Sequence, residues 1–200
     1  PGPVLKICGL TRLEDVLQAW DLGVWATGFV FAPSPRRLTP AAARQLVCGA
    51  KEARRSAAPA TGERQRRRPL SIGVFGDASA DEIAAVAAEV DLDGVQLHGL
   101  ASPGGDAVRR ALAARERPLL IIQAVPVDPE TTDAGSLAQT IAAARREADI
   151  VLVDTKAAGR FGGSGRSFPW SLVRGAAEGG PLVVAGGIGP ENVQTALRES

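Results

Sequence analysis

Two residues with complementary acid–base chemistry stand at the ends of predicted strands. Cys8 closes an apolar run that begins at Val4 and is followed at once by Gly9, and Asp154 closes a second apolar run that begins at Ile150. The carboxyl ends of parallel strands meet at one edge of a sheet, where α/β enzymes place their active sites. A thiol and a carboxyl in these positions suggest a base and an acid that face one pocket.

Lys6 strengthens this interpretation of Cys8. Side chains alternate along a strand, so Lys6 and Cys8 are predicted to point to the same side. A free thiol has a pKa of about 8.5 and is mostly protonated at neutral pH, but a nearby ammonium group stabilises the thiolate. The alternative for Cys8 alone is a small buried residue of the core.

A long glycine-rich segment follows Asp154. It runs from Thr155 to Gly165 and contains Gly163. Loops of this length over a strand end often act as lids, and glycine allows the backbone to approach a ligand closely. We therefore expect this segment to close over the pocket, with Gly163 against a ligand. The alternative is an aspartate that caps its own loop.

Gly186 and Gly187 lie in a turn of small residues between the seventh predicted strand and a helix that is predicted to begin at Pro190. Free N–H groups at such a turn suit a phosphate, and barrels commonly build phosphate sites after their seventh and eighth strands. A plain tight turn is the competing interpretation.

Arg36 and His98 follow two other predicted strands. Arg36, next to Arg37, comes after the second strand, where a guanidinium could bind a carboxylate with two hydrogen bonds. His98 faces the same side of the fourth strand as Gln96. Isolated surface arginines and structural histidines are common, so His98 is predicted only to line the pocket.

The elements that position these residues alternate along the chain. Strands are predicted at Val4–Cys8, Ala26–Phe31, Leu70–Phe75, Gly94–His98, Pro118–Val125, Asp149–Asp154 and Pro181–Ala185, and helices at Arg12–Leu22, Pro40–Arg54, Ser79–Val90, Val108–Arg115, Ser136–Glu147, Trp170–Ala177 and Pro190–Arg198. Thr11, Thr39 and Ser79 are predicted to mark helix starts. Apolar strands between helices indicate a parallel sheet, and seven consecutive units favour an α/β (β/α) barrel over a doubly wound sheet.

Residues 1–200 are expected to form a single barrel domain that lacks its eighth strand. Left so, the first and seventh strands would each have an unpaired edge, which native folds avoid. The notable insertion is an arginine-rich segment at residues 55–69, preceded by Arg54. We expect it to be a solvated surface connection on the face opposite the site rather than a nucleic-acid-binding segment. Because of the two unpaired strand edges, we expect the natural chain to be longer and these 200 residues to be truncated at their C-terminus.

Composition excludes several classes of protein. The 200 residues carry 23 basic and 22 acidic side chains and are 45% hydrophobic, which is typical of a globular protein and gives no sign of nucleic-acid binding. The longest apolar stretches fall far short of the roughly 20 residues that a membrane-spanning helix needs. Cys8 and Cys48 have no metal-ligand spacing and no disulfide framework. A cytoplasmic location is expected.

Taken together, the motifs resemble those of the phosphoribosylanthranilate isomerase family of tryptophan biosynthesis. The segments that do so are Lys6–Thr11, Gly28–Phe31, Ser34–Arg36, Gly73–Phe75, Val95–Gly99, Asp154, Gly162–Gly165 with Phe168 and Trp170, Ala185–Gly187, and Pro190–Val193. Each is weak alone, but their order and spacing are specific. Pro169 and the missing eighth strand are departures from the family pattern.

The resemblance implies a (β/α)8 TIM barrel that catalyses an Amadori rearrangement of a small phosphosugar without a cofactor or a metal. It implies that Cys8 is the general base and Asp154 the general acid. It also implies that Arg36 binds the anthranilate carboxylate and that Gly186 and Gly187 form half of the phosphate site. Substrate contacts are further expected from Lys6, His98 and Gly163. The oligomeric state is left open.

Two other functions remain open at this point. One is a related phosphosugar isomerase of the histidine pathway, which resembles a mechanism with two aspartates, and the cysteine on the first strand argues against it. The other is a noncatalytic protein that binds a phosphate ligand, which the absent last strand makes credible. Binding of a reduced product analogue without turnover would favour that second alternative.

Overall fold

Strands and helices alternate along the chain, as the apolar pattern predicts. The computed structural model describes residues 3–56, 68–99, 102–113, 118–155 and 167–200. The strands there are β1 (Lys6–Cys8), β2 (Ala26–Val30), β3 (Leu70–Phe75), β4 (Gly94–Leu97), β5 (Leu120–Val127), β6 (Ile150–Thr155) and β7 (Leu182–Val184). The α-helices are α1 (Leu13–Asp21), α2 (Pro40–Ser56), α3 (Ala80–Val90), α4 (Gly105–Leu112), α5 (Ala134–Ala144) and α6 (Val193–Glu199).

The strands form one parallel sheet in which each strand pairs with its neighbours in sequence. Its order is β1-β2-β3-β4-β5-β6-β7, so within the described residues β1 and β7 each pair with one strand only. Parallel neighbours joined by helical crossovers place all strand carboxyl ends at one edge. This topology is that of a (β/α)8 barrel, and the described residues contain seven of its strands. The predicted fold class is confirmed.

Burial on both faces explains why the central strands are mostly apolar. On β2, Phe29 packs among the helices, whereas Ala26 faces the barrel interior with Ile72, Ile122 and Leu152. The side chains alternate between these two clusters along the strand. The edge strand β7 is only partly buried over its whole length. None of the described helices is long and apolar enough to cross a membrane.

Helix starts were predicted with mixed success. Ser79 forms a capping box with Glu82, and the Thr39 hydroxyl accepts a hydrogen bond from the backbone N–H of Ala42. The predicted role of Thr11 is wrong, because α1 begins at Leu13 after Arg12, with no side-chain cap. A polar residue two positions upstream of the first helical residue cannot supply that cap.

Two predicted helices near the C-terminal end also differ. The helix expected over Trp170–Ala177 is instead a pair of 3-10 helices, Trp170–Val173 and Ala176–Gly179. Gly175 between them has a φ of 76°, a left-handed conformation that interrupts a helix. The last helix begins at Val193 rather than at Pro190, since residues 190–192 form a turn.

Aspartates at the amino ends of two strands bind the backbone of the preceding strand. Asp93 precedes β4 and accepts a hydrogen bond of 2.9 Å from the N–H of Ser71, while Arg68 Nη2 donates to its Oδ1 at 2.8 Å. Asp149 precedes β6 and accepts one of 2.8 Å from the N–H of Ile121. The expected insertion at residues 55–69 lies mostly outside the described residues, apart from its ends.

Candidate active site

A cavity of about 1010 Å³ opens at the carboxyl ends of the strands and continues along the open side of the sheet between β1 and β7. Seven of the eight residues predicted to form the site line it: Lys6, Cys8, Arg36, His98, Asp154, Gly186 and Gly187. The eighth, Gly163, and the rest of the expected lid lie outside the described residues. Five different strands or strand–helix turns therefore supply one site.

Cys8 and Lys6 lie on the same side of β1, next to Gly28. Cys8 is in register with Gly28 of β2. A Cβ placed on Gly28 would lie 2.6 Å from Cys8 Sγ and 3.1 Å from Lys6 Nζ, so only glycine leaves room for both side chains. The thiol is exposed to the cavity. The ammonium group and the thiol can therefore act on one bound molecule.

Arg36 is held over the end of β1 by the backbone. Its Nη1 donates a 3.1 Å hydrogen bond to the carbonyl of Cys8. Gly9 has a φ of 82°, and a Cβ there would lie 2.6 Å from the same nitrogen. Glycine is thus required at position 9 both by its left-handed conformation and by the close guanidinium. The exposed guanidinium keeps donors for a ligand carboxylate.

Asp154 and His98 face each other across the cavity wall. His98 Nε2 lies 3.6 Å from Asp154 Oδ2, and both side chains are largely buried. On the other side of the imidazole, Gln96 Nε2 lies 3.1 Å from His98 Nδ1. Gln96, His98 and Asp154 therefore form a polar chain from β4 to β6.

Burial shifts the two titratable groups of this chain toward their neutral forms. It raises the pKa of the Asp154 carboxyl above its ordinary value, and His98, a backbone hydrogen bond at Thr155 and Lys6 offset part of that effect. Burial also lowers the pKa of the His98 imidazole; Asp154 opposes this effect, and Lys6 adds to it. A neutral carboxyl next to a neutral imidazole is suited to donating a proton.

The turn after β7 places two glycines with positive φ beside the acid. Gly186 has a φ of 91° and Gly187 of 64°. A Cβ on Gly186 would lie 2.2 Å from Thr155 Oγ1 and 2.8 Å from Asp154 Oδ1, so the turn packs directly on the end of β6. Because α6 begins only at Val193, the helix start that was expected to help bind an anion is not at this turn.

Comparison with known proteins shows which family this chain resembles. The family model described as N-(5'phosphoribosyl)anthranilate (PRA) isomerase matches residues 5–200. The N-(5'-phosphoribosyl)anthranilate isomerase of Rhodospirillum rubrum is 37% identical over 201 residues, which cover 98% of this chain and 83% of that protein. The one of Rubrobacter xylanophilus is 38% identical over 194 residues, which cover 96% and 82%.

The chain belongs to the N-(5'-phosphoribosyl)anthranilate isomerase family. Solved structures of this family share its fold. The isomerase of Thermotoga maritima is 33% identical and superposes with a TM-score of 0.72 over 97% of this chain and 82% of that one. Another isomerase structure, in complex with reduced 1-(o-carboxyphenylamino)-1-deoxyribulose 5-phosphate, is 32% identical, with a TM-score of 0.68 over 96% and 80%. The resemblance inferred from the motifs is confirmed.

Sequence reasoning missed how closely the polar residues of this site are coupled. His98 was expected to line the pocket and to contact substrate, but its position beside Asp154 and its contact with Gln96 were not predicted. The shared strand face of Gln96 and His98 was a usable signal, because residues two apart on a strand point the same way. The steric role of Gly28 could not be inferred, since it depends on the register of β1 with β2.

Within the described residues, no group of three or more His, Cys, Asp or Glu side chains could hold a metal ion. The residues gathered at the cavity are instead a thiol, a carboxyl, an imidazole and two cationic groups. These groups can bind an anionic ligand and move protons on it.

Proposed function

We propose that the chain converts N-(5'-phosphoribosyl)anthranilate into 1-(2-carboxyphenylamino)-1-deoxyribulose 5-phosphate, the Amadori rearrangement of tryptophan biosynthesis, with Asp154 as general acid and Cys8 as general base. Membership of the isomerase family supports the reaction. A relative binds a reduced form of this product, which supports a phosphosugar ligand. The observation that supports the assignment of the acid is the buried Asp154 carboxyl at the cavity, with its raised pKa.

The first step opens the sugar ring. Asp154 donates its proton to the ring oxygen, the bond between C1 and that oxygen breaks, and the electron pair of the anthranilate nitrogen forms a Schiff base at C1. This step needs a protonated carboxyl, which is unusual for aspartate at neutral pH. Burial of Asp154 favours the neutral form, so the environment supplies what the step requires.

The second step moves a proton from C2. The Cys8 thiolate removes it, and the electrons of the C2–H bond neutralise the Schiff base to give an enolamine. That intermediate then becomes the ketone by losing its C2 hydroxyl proton and gaining a proton at C1, so the reaction is an isomerisation overall. Lys6 lies on the same side of β1 as this thiol, next to Gly28.

Three anion contacts position the substrate in this proposal. Arg36 binds the anthranilate carboxylate with the donors that its hydrogen bond to Cys8 leaves over. The backbone at Gly186 and Gly187 binds the phosphate, for which their small size and positive φ leave access. Lys6 and His98 contact the ribose between these ends, and Gly163 is proposed to close over it.

The test is turnover of N-(5'-phosphoribosyl)anthranilate by this chain, followed by its fluorescence. We expect turnover, and we expect Arg36→Lys to raise KM more than it lowers kcat, because lysine cannot make the two-pronged contact. Arg37→Lys, at the adjacent exposed position, is the matched control and should leave both unchanged. Failure to turn over the substrate while the reduced product analogue still binds would indicate a noncatalytic binding protein and contradict the proposal.

The compartment we propose for this reaction is the cytoplasm, as expected for a biosynthetic enzyme of this composition. Fractionation of cells that express the tagged chain checks it. Recovery with membranes or outside the cell would contradict it.

A further inference from the structure

Gln96 is a buried polar residue of the cavity wall that the proposed reaction does not use. Its side chain is 3% exposed. Its Nε2 lies 3.1 Å from His98 Nδ1, while its Oε1 is buried and has no hydrogen-bond partner among the described residues. In the described part of the chain, the hydrogen bond of this amide therefore goes to the imidazole. Buried polar groups are usually paired more fully than this, so the one contact needs a reason.

The direction of that hydrogen bond determines which ring nitrogen carries a proton. When the amide NH₂ donates to Nδ1, Nδ1 is an acceptor, and the neutral ring keeps its proton on Nε2. Burial lowers the pKa of His98 and so favours the neutral ring. Among the described residues, the charged groups that act on this ring are Asp154 on β6 and Lys6 on β1. Asp77 lies beside the neighbouring Gly99.

The two oxygens of Asp154 then differ. Oδ2 faces His98 Nε2 at 3.6 Å, a contact that must shorten by about 0.5 Å to become a hydrogen bond. Oδ1 lies on the side of Gly186, where a Cβ would be 2.8 Å away. A ring N–H next to Oδ2 needs an acceptor there, and the carbonyl oxygen of a neutral carboxyl accepts better than its hydroxyl oxygen. The proton of a neutral Asp154 carboxyl is therefore favoured on Oδ1.

We propose that Gln96 is a positioning residue: it holds His98 as the Nε2–H tautomer, so that Asp154 carries its acidic proton on Oδ1, the oxygen beside the Gly186 turn. Delivery of that proton to substrate rests on the proposed function, whereas the tautomer of His98 does not. Without Gln96, the ring can carry its proton on Nδ1 and turn an Nε2 lone pair toward the acid. The carboxyl would then donate a hydrogen bond to the ring and hold its proton more tightly.

The tautomer can be read directly, because His98 is the single histidine of the 200 residues. Long-range ¹H–¹⁵N NMR of the ¹⁵N-histidine-labelled protein reports one imidazole. We expect Nε2 to be protonated and Nδ1 not, near neutral pH. A ring protonated on Nδ1 in the unaltered protein would overturn the proposal, whether or not any variant folds.

A substitution at Gln96 provides a second NMR test of the proposal. Gln96→Glu replaces the donor with an acceptor of the same shape, so the spectrum should change to a ring protonated on Nδ1. An unchanged Nε2–H signal in folded Gln96→Glu would contradict the proposal.

Kinetics distinguish positioning from a purely structural role. In Gln96→Met we expect kcat to fall about tenfold at little change in KM. The high-pH limb of the kcat profile should move to higher pH, because the Asp154 carboxyl, now hydrogen-bonded to the ring, holds its proton more tightly. Gln123→Met on β5 is the matched control, since Gln123 Nε2 donates to backbone carbonyls of Leu97 and Ala124.

A loss of kcat in Gln96→Met without a shift of the high-pH limb of its kcat profile would overturn the proposal. Lack of turnover by the unaltered protein would contradict the proposed function, while the NMR result would still decide the tautomer.

Discussion

Asp93 and Asp154 are both largely buried, lie at opposite ends of the parallel sheet, and have opposite pKa shifts. Burial acts to raise the pKa of Asp93, but the Arg68 guanidinium and the N–H of Ser71 more than compensate, so that its pKa lies below the ordinary value. Burial raises the pKa of Asp154, and His98, the backbone at Thr155 and Lys6 offset it only in part. The same residue type is thus an ionised anchor at one end and a candidate acid at the other.

The difference teaches that burial alone does not determine the charge of a carboxyl in this fold. Two hydrogen bonds from the Arg68 guanidinium and one from a backbone N–H stabilise the carboxylate of Asp93. Asp154 instead faces the His98 imidazole at 3.6 Å, and burial lowers the pKa of that ring. In (β/α)8 barrels, conserved chemistry sits at the carboxyl ends and stability at the amino ends. The two aspartates show how the local partners produce that division.

The largest effect should come from removing the proposed acid or base. We expect Asp154→Asn and Cys8→Ala each to lower kcat by about 10²- to 10⁴-fold while the protein stays folded, because each removes a proton-transfer group. Steady-state turnover measures this. Asp21→Asn and Cys48→Ala make the same changes at exposed positions of α1 and α2 and serve as controls. Near-normal kcat in either site variant would refute the assignment.

Asp93→Asn should lower stability and leave kcat nearly unchanged, which is the converse of Asp154→Asn. Asparagine keeps an acceptor for Ser71 but leaves the partly exposed Arg68 without its charge partner, so we expect the free energy of unfolding to fall by about 2 kcal/mol. The kcat per folded molecule should remain within about twofold. Urea unfolding and active-site titration check the two parts. Equal losses of kcat in Asp93→Asn and Asp154→Asn would remove the distinction between the two ends.

Gly28→Ala should affect the base while leaving the acid in place. Its Cβ would lie 2.6 Å from Cys8 Sγ and 3.1 Å from Lys6 Nζ, so both side chains must move. We expect kcat to fall about 10- to 100-fold, since displacements of about 1 Å at a site have effects of this size. Gly135→Ala in α5 is the control and should be silent. An unchanged kcat in Gly28→Ala would show that the thiol position is not critical.

The smallest effect is on the pH dependence of stability. Because the folded pKa of Asp154 is raised, its contribution is present below the ordinary value of 3.8 and is lost as pH rises through the folded pKa. Because the folded pKa of Asp93 is lowered, its contribution is present above 3.8 and is lost as pH falls through the folded pKa. Relative to the unaltered protein, Asp154→Asn should therefore gain stability with rising pH, and Asp93→Asn should lose it. Unfolding curves between pH 3 and 7 test these signs, and slopes of the same sign would contradict the comparison.

Much of this site could be predicted because strand ends are visible in the sequence. Apolar runs that stop at Cys8 and Asp154 place both residues at the carboxyl edge, and alternation along the strands places Lys6 beside Cys8. The family and the (β/α)8 fold followed from motif order and are confirmed.

The electrostatics could not be predicted, because they depend on contacts between distant residues. Arg68 belongs to an arginine-rich segment that was expected to be solvated, yet it pairs with Asp93, 25 residues away. The protonation of Asp154 depends on its depth and on a histidine from another strand. The pair of 3-10 helices was missed because an Ala- and Leu-containing segment fits a helix until Gly175 takes a positive φ.

The most direct test of the central claim is the ionisation of Asp154 itself. Infrared difference spectra between the unaltered protein and Asp154→Asn isolate its carboxyl, and spectra against Asp93→Asn isolate that of Asp93, as pH is raised from 3. We predict that the protonated-acid band of Asp154 persists above 3.8, at pH values where the band of Asp93 is already absent. Ionisation of Asp154 at or below the pH at which Asp93 ionises would contradict the account.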